Sequence, residues 1–191
     1  MWWLRKLISK FSPQLFWWLY SRDFYADPWQ HGIYEEHLDL LRFVRKYKPK
    51  NILEIGCGFG RNLEYLISGG VPVKSLTGTD FTGRLLQLAK SKLKNVSLIR
   101  ADASKQPFPD ASFNLAFTHG LLMHIPPAKI NQAFSEIIRV SKKYILIYEL
   151  VNFTNQYTFD HDYVKLAKDY NLKVKFKFID KRDLIWLHLE K

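Results

Sequence analysis

A glycine turn set inside a regular rhythm constrains this chain more than any other feature. From about residue 50 onward, short runs of β-branched and aliphatic residues alternate with segments of helical periodicity, the pattern of a parallel sheet joined by crossover helices. The first run, Asn51 to Ile55, passes into Glu54-Ile55-Gly56-Cys57-Gly58-Phe59-Gly60, ahead of a helix predicted from about Arg61 to Ile67. Glycines at such a junction let the backbone turn tightly and approach a ligand, and the helix start beyond them offers unpaired amide donors. The second run, Ser75 to Asp80, closes on an acid 24 residues after Gly56, where a carboxylate can hold both hydroxyls of a ribose.

The rhythm continues to the end of the sequence. A helix carrying Leu85, Leu86, Leu88, Ala89 and Leu93 leads to a third run, Val96 to Arg100, and a proline-bearing loop, Lys105 to Ser112, leads to a fourth, Phe113 to Thr118. Pro126-Pro127 opens a helix with Ile130, Phe134, Ile137 and Ile138 inward, followed by a fifth run, Tyr144 to Leu150, and a helix over Phe159 to Tyr170. The last two runs, Lys173 to Ile179 and Leu184 to Leu189, are joined by Asp180-Lys181-Arg182-Asp183, a link short enough to force them antiparallel. Upstream, Trp2 to Phe11 reads as a short basic amphipathic helix, Pro13 opens a second apolar segment through Tyr20, and His31 to Tyr47 reads as a third helix. The prediction is an N-terminal helical extension over residues 1–30 and one α/β domain over 31–191, with a Rossmann-like, seven-stranded sheet whose last strand is antiparallel.

The turn distinguishes between nucleoside ligands. Dinucleotide sites use G-x-G-x-x-G against a pyrophosphate, whereas this turn reads Gly56-x-Gly58-x-Gly60 behind the acid Glu54. An anion there repels pyrophosphate and favours a cationic nucleoside. On these residues, over roughly 30 to 191, the chain resembles the class I S-adenosylmethionine-dependent methyltransferases. The resemblance implies that Glu54, Gly56, Cys57, Gly58, Gly60 and Asn62 surround the methionine part of that cofactor. It further implies that Asp80 binds the ribose, that Phe81 lies beside the adenine, and that Asp102 and Ala103 flank it. Pro107-Phe108-Pro109-Asp110-Ala111-Ser112-Phe113-Asn114 is similar to a family segment that usually ends in aspartate, and Thr118, His119 and Gly120 open a stretch that resembles the one lining cofactor and acceptor in that family.

Three histidines are candidates for acid–base work. His119 and His124 each read as either a hydrogen-bonded structural group or a base, and His161, in Asp160-His161-Asp162, could orient an acceptor or merely sit in an acid-rich helix start. Spacing supports no metal site, and Cys57 reads as a small packing residue.

Composition bears on the acceptor. Lys and Arg total 29 against 18 for Asp and Glu, a formal charge of +11, which suits anionic partners. The single cysteine excludes a disulfide framework and points to a reducing, cytoplasmic compartment. Five of six tryptophans fall within the first 29 residues, and no acid precedes Asp23 while Arg5, Lys6, Lys10 and Arg22 do. No stretch approaches the roughly 20 apolar residues of a spanning helix, and Lys10 and Pro13 interrupt any signal-peptide core. The segment therefore reads either as an interfacial anchor making peripheral membrane contact or as a lid whose tryptophans cover the cofactor. The expected function is methyl transfer to a small-molecule, sugar or lipid-linked acceptor; the stretches Thr118 to Ile125 and Ser141 to Glu149 also resemble methyltransferases of bacterial surface-sugar biosynthesis. Two alternatives stand beside it. One is RNA methylation, with Lys165, Lys168, Lys173, Lys175 and Lys177 on phosphates. The other is a non-catalytic cofactor-binding partner subunit.

Overall fold

The computed structural model describes residues 13–155 and 157–191; the basic helix expected over Trp2 to Phe11 lies outside them. The first described helix, α1 (Pro13–Ala26), continues past Tyr20. A 3-10 turn, Pro28–His31, follows, and α2 spans Glu35–Tyr47. The helix predicted from His31 to Tyr47 thus begins at Glu35, and His31 ends the 3-10 turn before it. Asp27 accepts a hydrogen bond from the Trp29 amide at 3.0 Å and closes the turn. Tyr34 is then held extended because its ring stacks on Trp29 and its hydroxyl donates to the Trp29 carbonyl at 3.0 Å.

The sheet contains β1 (Ile52–Ile55), β2 (Leu76–Asp80), β3 (Ser97–Arg100), β4 (Phe113–His119), β5 (Ser141–Leu150), β6 (Lys173–Ile179) and β7 (Leu184–Glu190), in the spatial order β3-β2-β1-β4-β5-β7-β6. The first five are parallel, and β7 runs antiparallel to both neighbours. Crossovers are α3 (Arg61–Ser68), α4 (Gly83–Lys92) and α5 (Pro127–Val140), with α6 (Tyr163–Asp169) before the final hairpin. The helix expected from Phe159 starts four residues later. Asp162 caps it by accepting from the Lys165 amide at 2.8 Å, while the Phe159 amide donates to the Met123 carbonyl at 2.7 Å and ties the preceding loop to the loop after β4.

Strand alternation divides the core between two faces. Ile52, Leu115, Phe117, Leu146 and Tyr148 pack with residues of α2, α3 and α4, whereas Leu53, Ala116, Ile145 and Ile147 pack with α5 and α6. Chain order reverses between β1 and β4. Crossovers there depart to opposite sides, which leaves a crevice beyond the carboxyl ends of those strands.

Candidate active site

The glycine turn occupies that crevice. Gly56, Gly58 and Gly60 have φ of +77°, +53° and +85°, left-handed conformations that side-chain-bearing residues rarely adopt. A Cβ on Gly58 would meet only Leu85, at 3.9 Å, and Gly58 lines the cavity together with Gly56. Gly60, expected beside the cofactor, is instead a packing glycine: a Cβ there would run into Leu93 of the neighbouring layer. Cys57 is buried at the turn, burial pushes its thiol up, and its Sγ occupies space that a side chain on Gly78 would need.

Asp80, at the end of β2, has its Oδ2 bonded by the Gly58 amide at 2.9 Å and its Oδ1 by the Thr82 amide at 2.7 Å. Burial raises its pKa against the pull of those bonds. Around it, Phe81, Thr82, Leu85, Asp102 and Ala103 line one lobe of the cavity. Asp102 accepts from the Ser104 amide and hydroxyl at 2.9 and 2.7 Å, which fixes its carboxylate at the lobe's edge.

The adjoining lobe contains Glu54, Cys57, Arg61, Asn62 and His119. Glu54 is buried; Asn62 Nδ2 donates to its Oε1 at 2.6 Å, and Oε2 has no hydrogen-bond partner among the described residues. Burial pushes this carboxyl up to about 8. Arg61, the first residue of α3, directs one guanidinium nitrogen to the carbonyls of Trp29 and Gln30 at 3.3 Å each, and burial lowers its pKa. An acid with an unmatched oxygen and a half-used guanidinium in one lobe complement an α-amino acid zwitterion.

From Glu54 a polar chain runs across the site. His119 Nδ1 donates to Asn62 Oδ1 at 3.1 Å, and its Nε2 stands 3.6 Å from Glu36 Oε1. Arg182, from the turn between β6 and β7, donates to Glu36 Oε2 at 2.6 Å and also pairs with Asp180. Burial would raise Glu36, but the facing His119 ring and the hydrogen bond from Arg182 hold it down at about 2. Burial lowers His119 while Glu36 draws it back up. Both His119 nitrogens are therefore engaged.

His124 differs. Its Nδ1 donates to the Tyr157 carbonyl at 2.8 Å, its ring meets Trp17 edge-on at 4.7 Å, and burial lowers it to about 4. The ring borders both lobes, and its Nε2 has no hydrogen-bond partner among the described residues. Glu149, at the end of β5, supports this loop by accepting the Leu121 and Met123 amides at 3.1 and 3.2 Å, and burial pushes it up to about 7.

Two further expected site residues do not line the cavity. Thr118 is fully buried within β4. His161 lies behind the loop, its Nε2 donating to the Ile125 carbonyl at 2.9 Å, so it fastens the loop that carries His124 and faces no ligand space. Gly120 does line both lobes. The roof comes from α1: Trp17 and Phe24 line the cavity, Phe16 stacks on Tyr157 at 5.2 Å, and Phe24 meets Phe59 at 6.3 Å. Among the described residues no group of three or more His, Cys, Asp or Glu could hold a metal ion.

The sheet order, the antiparallel β7 and the glycine crevice define a class I methyltransferase fold. Residues 52–144 match the family model described as a methyltransferase domain. A TehB-like S-adenosylmethionine-dependent methyltransferase from Corynebacterium glutamicum shares the fold, with a TM-score of 0.72 and 20% identity over 91% of this chain and 98% of that one. The demethylmenaquinone methyltransferase of Listeria welshimeri is 29% identical over 109 residues, 54% of this chain and 45% of that protein. A probable chloroplastic tocopherol O-methyltransferase of Oryza sativa is 32% identical over 98 residues, 49% of this chain and 26% of that protein. The chain thus matches less than half the length of these curated relatives. Its two lobes fit S-adenosylmethionine: Glu54, Arg61 and Asn62 would hold the amino acid end, Gly56 and Gly58 the middle, and Asp80, Phe81, Asp102 and Ala103 the nucleoside.

Proposed function

We propose that this protein transfers a methyl group from S-adenosylmethionine to a lipophilic, ring-containing small molecule. The observation that carries the cofactor half is the presence of buried Glu54, with its unpartnered Oε2, and of Arg61 in the lobe that adjoins the Asp80 lobe. The bound cofactor supplies an electrophilic methyl on a sulfonium, which an in-line nucleophile can take. The protein's part is alignment, exclusion of water and handling of a proton. Trp17 and Phe24 form an apolar roof over the acceptor side, and the named relatives act on a quinone and a tocopherol; both support a ring-bearing, apolar acceptor over a sugar. Of the two histidines that line the cavity, His119 has contacts at both ring nitrogens and His124 a hydrogen bond at Nδ1, which supports His124 as the group that receives an acceptor's proton.

Titration calorimetry with S-adenosylmethionine and its demethylated product tests the first half. Asp80→Ala should weaken binding at least roughly 30-fold, about 2 kcal/mol for the lost charge-assisted ribose contact; wild-type affinity in that variant would overturn the site. For the second half, a methyl-transfer screen over quinols, chromanols, sugars and RNA should give turnover on the first two classes. His124→Phe should lower kcat on a hydroxyl acceptor by about 10²-fold while leaving cofactor affinity unchanged. RNA methylation has one feature in its favour: Arg42, Lys46, Lys143 and Lys175 gather with Tyr47 and Phe176 at the other end of the sheet. RNA affinity that falls steeply with salt would favour that reading.

A further inference from the structure

Helix α1 is apolar on two sides. Its inner side is committed to the protein: Phe16 is buried, and Trp17, Tyr20 and Phe24 join the aromatic cluster with Tyr157, His124 and Phe59. On the outer side Trp18 is 56% exposed and Leu19 43%, with Arg22 one turn beyond Trp18 and also exposed. The loop that meets the inner side through Tyr157 contributes another exposed ring, Phe153, at 47%. Apolar residues on two sides of a helix call for apolar cover on both, and here Trp18 and Leu19 stand exposed on the helix whose other side lines the cavity. Charge indicates what covers it. Residues 1–22 hold Arg5, Lys6, Lys10 and Arg22 and no acid, so that with Asp23 counted the segment still carries a basic excess of three, the composition of a segment that rests on an anionic interface with tryptophan at headgroup level.

We infer that the outer face of α1, with Phe153, seats on an anionic lipid surface, so that the helix roofing the acceptor chamber is also the point of contact with the membrane that holds the acceptor. This rests on the reading of the acceptor as lipophilic. The physical gain is that an apolar acceptor passes beneath Trp17 without crossing water, since the roof's outer side already lies among acyl chains. Among the described residues no helix is long and apolar enough to cross a membrane, so the contact is one of lying on the surface.

The test is sedimentation of the full chain with phosphatidylcholine vesicles, with and without phosphatidylglycerol, in the absence of cofactor and acceptor. The wild type should sediment with the anionic vesicles, and Trp18→Glu/Leu19→Glu should reduce the bound fraction by roughly tenfold or more while S-adenosylmethionine affinity stays at the wild-type value. Should the double variant lose cofactor affinity through misfolding, Trp18→Ser is read in its place, with a smaller loss in the same direction. Wild-type protein that stays in the supernatant with both vesicles overturns the proposal. So does a variant that sediments like the wild type, which would assign binding to residues 1–12 alone, or a wild-type dimer that the same substitutions dissociate. Vesicle binding without methylation of any quinol or chromanol would instead leave the interface standing and defeat the acceptor reading.

Discussion

A carboxyl sealed in a protein interior with one oxygen unmatched favours its neutral form, and Glu54, pushed up to about 8 by burial, is such a group. Because its folded pKa lies above the ordinary 4.5, the folded ligand-free protein holds a proton that the unfolded chain has released. Its contribution to stability is therefore complete below pH 4.5 and declines as pH rises through about 8. Glu54→Gln removes that decline. Thermal melts of ligand-free protein should give matching Tm values for variant and wild type near pH 4.5 and a higher Tm for the variant near pH 8; a gap that does not change with pH would refute the assignment. The same substitution should weaken cofactor binding, since an amide offers no charge to an ammonium. Glu54, Gly58 and Asp80 were legible in the sequence because they lie on one local turn and the end of the next strand. Arg182 and Glu36 were not: their pairing spans 146 positions and leaves no local pattern. Arg61 stood next to the motif, and a charged side chain directly after a glycine turn was the signal that could have found it. His161 sat beyond a strand end as a site residue would, but its side chain turned to a backbone carbonyl, a choice that spacing does not encode.

The seven strands and the antiparallel pairing of the last two were readable from periodicity and one short link, since burial on one or both faces imprints each strand; the insertion of β7 between β5 and β6 was not. Element starts were less so. The start of α2 at Glu35 follows from the stacking of Tyr34 on Trp29, a contact between rings that hydrophobic spacing does not register. Helix α1 exposes a different limit: its tryptophans advertised an apolar requirement, yet which of them face the cavity depends on Tyr157 and His124, far along the chain. Since Trp17 and Phe24 line the cavity, a ligand within it adds contacts that an undocked helix would lack. Cleavage by trypsin at Arg22 should accordingly slow by roughly tenfold or more when S-adenosylmethionine is saturating, as local opening becomes coupled to ligand release. An unchanged cleavage rate would mean that the helix does not close over the cofactor.

At the scale of the whole molecule, the turn after β1, the end of β2, the loops after β3 and β4, and α1 all line the cavity, so a ligand that fills it would touch each of them. Its binding should therefore register as global stability. At about 100 times Kd the gain is about 2.7 kcal/mol, which for a chain of this size corresponds to a rise in Tm of about 5–10 °C. A thermal shift assay with the demethylated product checks this, and at the same ligand concentration Asp80→Ala, with binding weakened about 30-fold, should cut the gain to about 0.9 kcal/mol, roughly a third of the wild-type rise.

Strand β7 is inserted between β5 and β6, and this order has a consequence for synthesis. The ribosome delivers β5 well before its partner, so the row of unpaired amides and carbonyls along Tyr144 to Leu150, the residues that β7 will pair, stays open while more than thirty further residues emerge. During that interval the nascent chain offers a ready template to any other extended segment. Closure requires the returning hairpin to lay its second strand along β5, which leaves lysine-studded β6 as the new border.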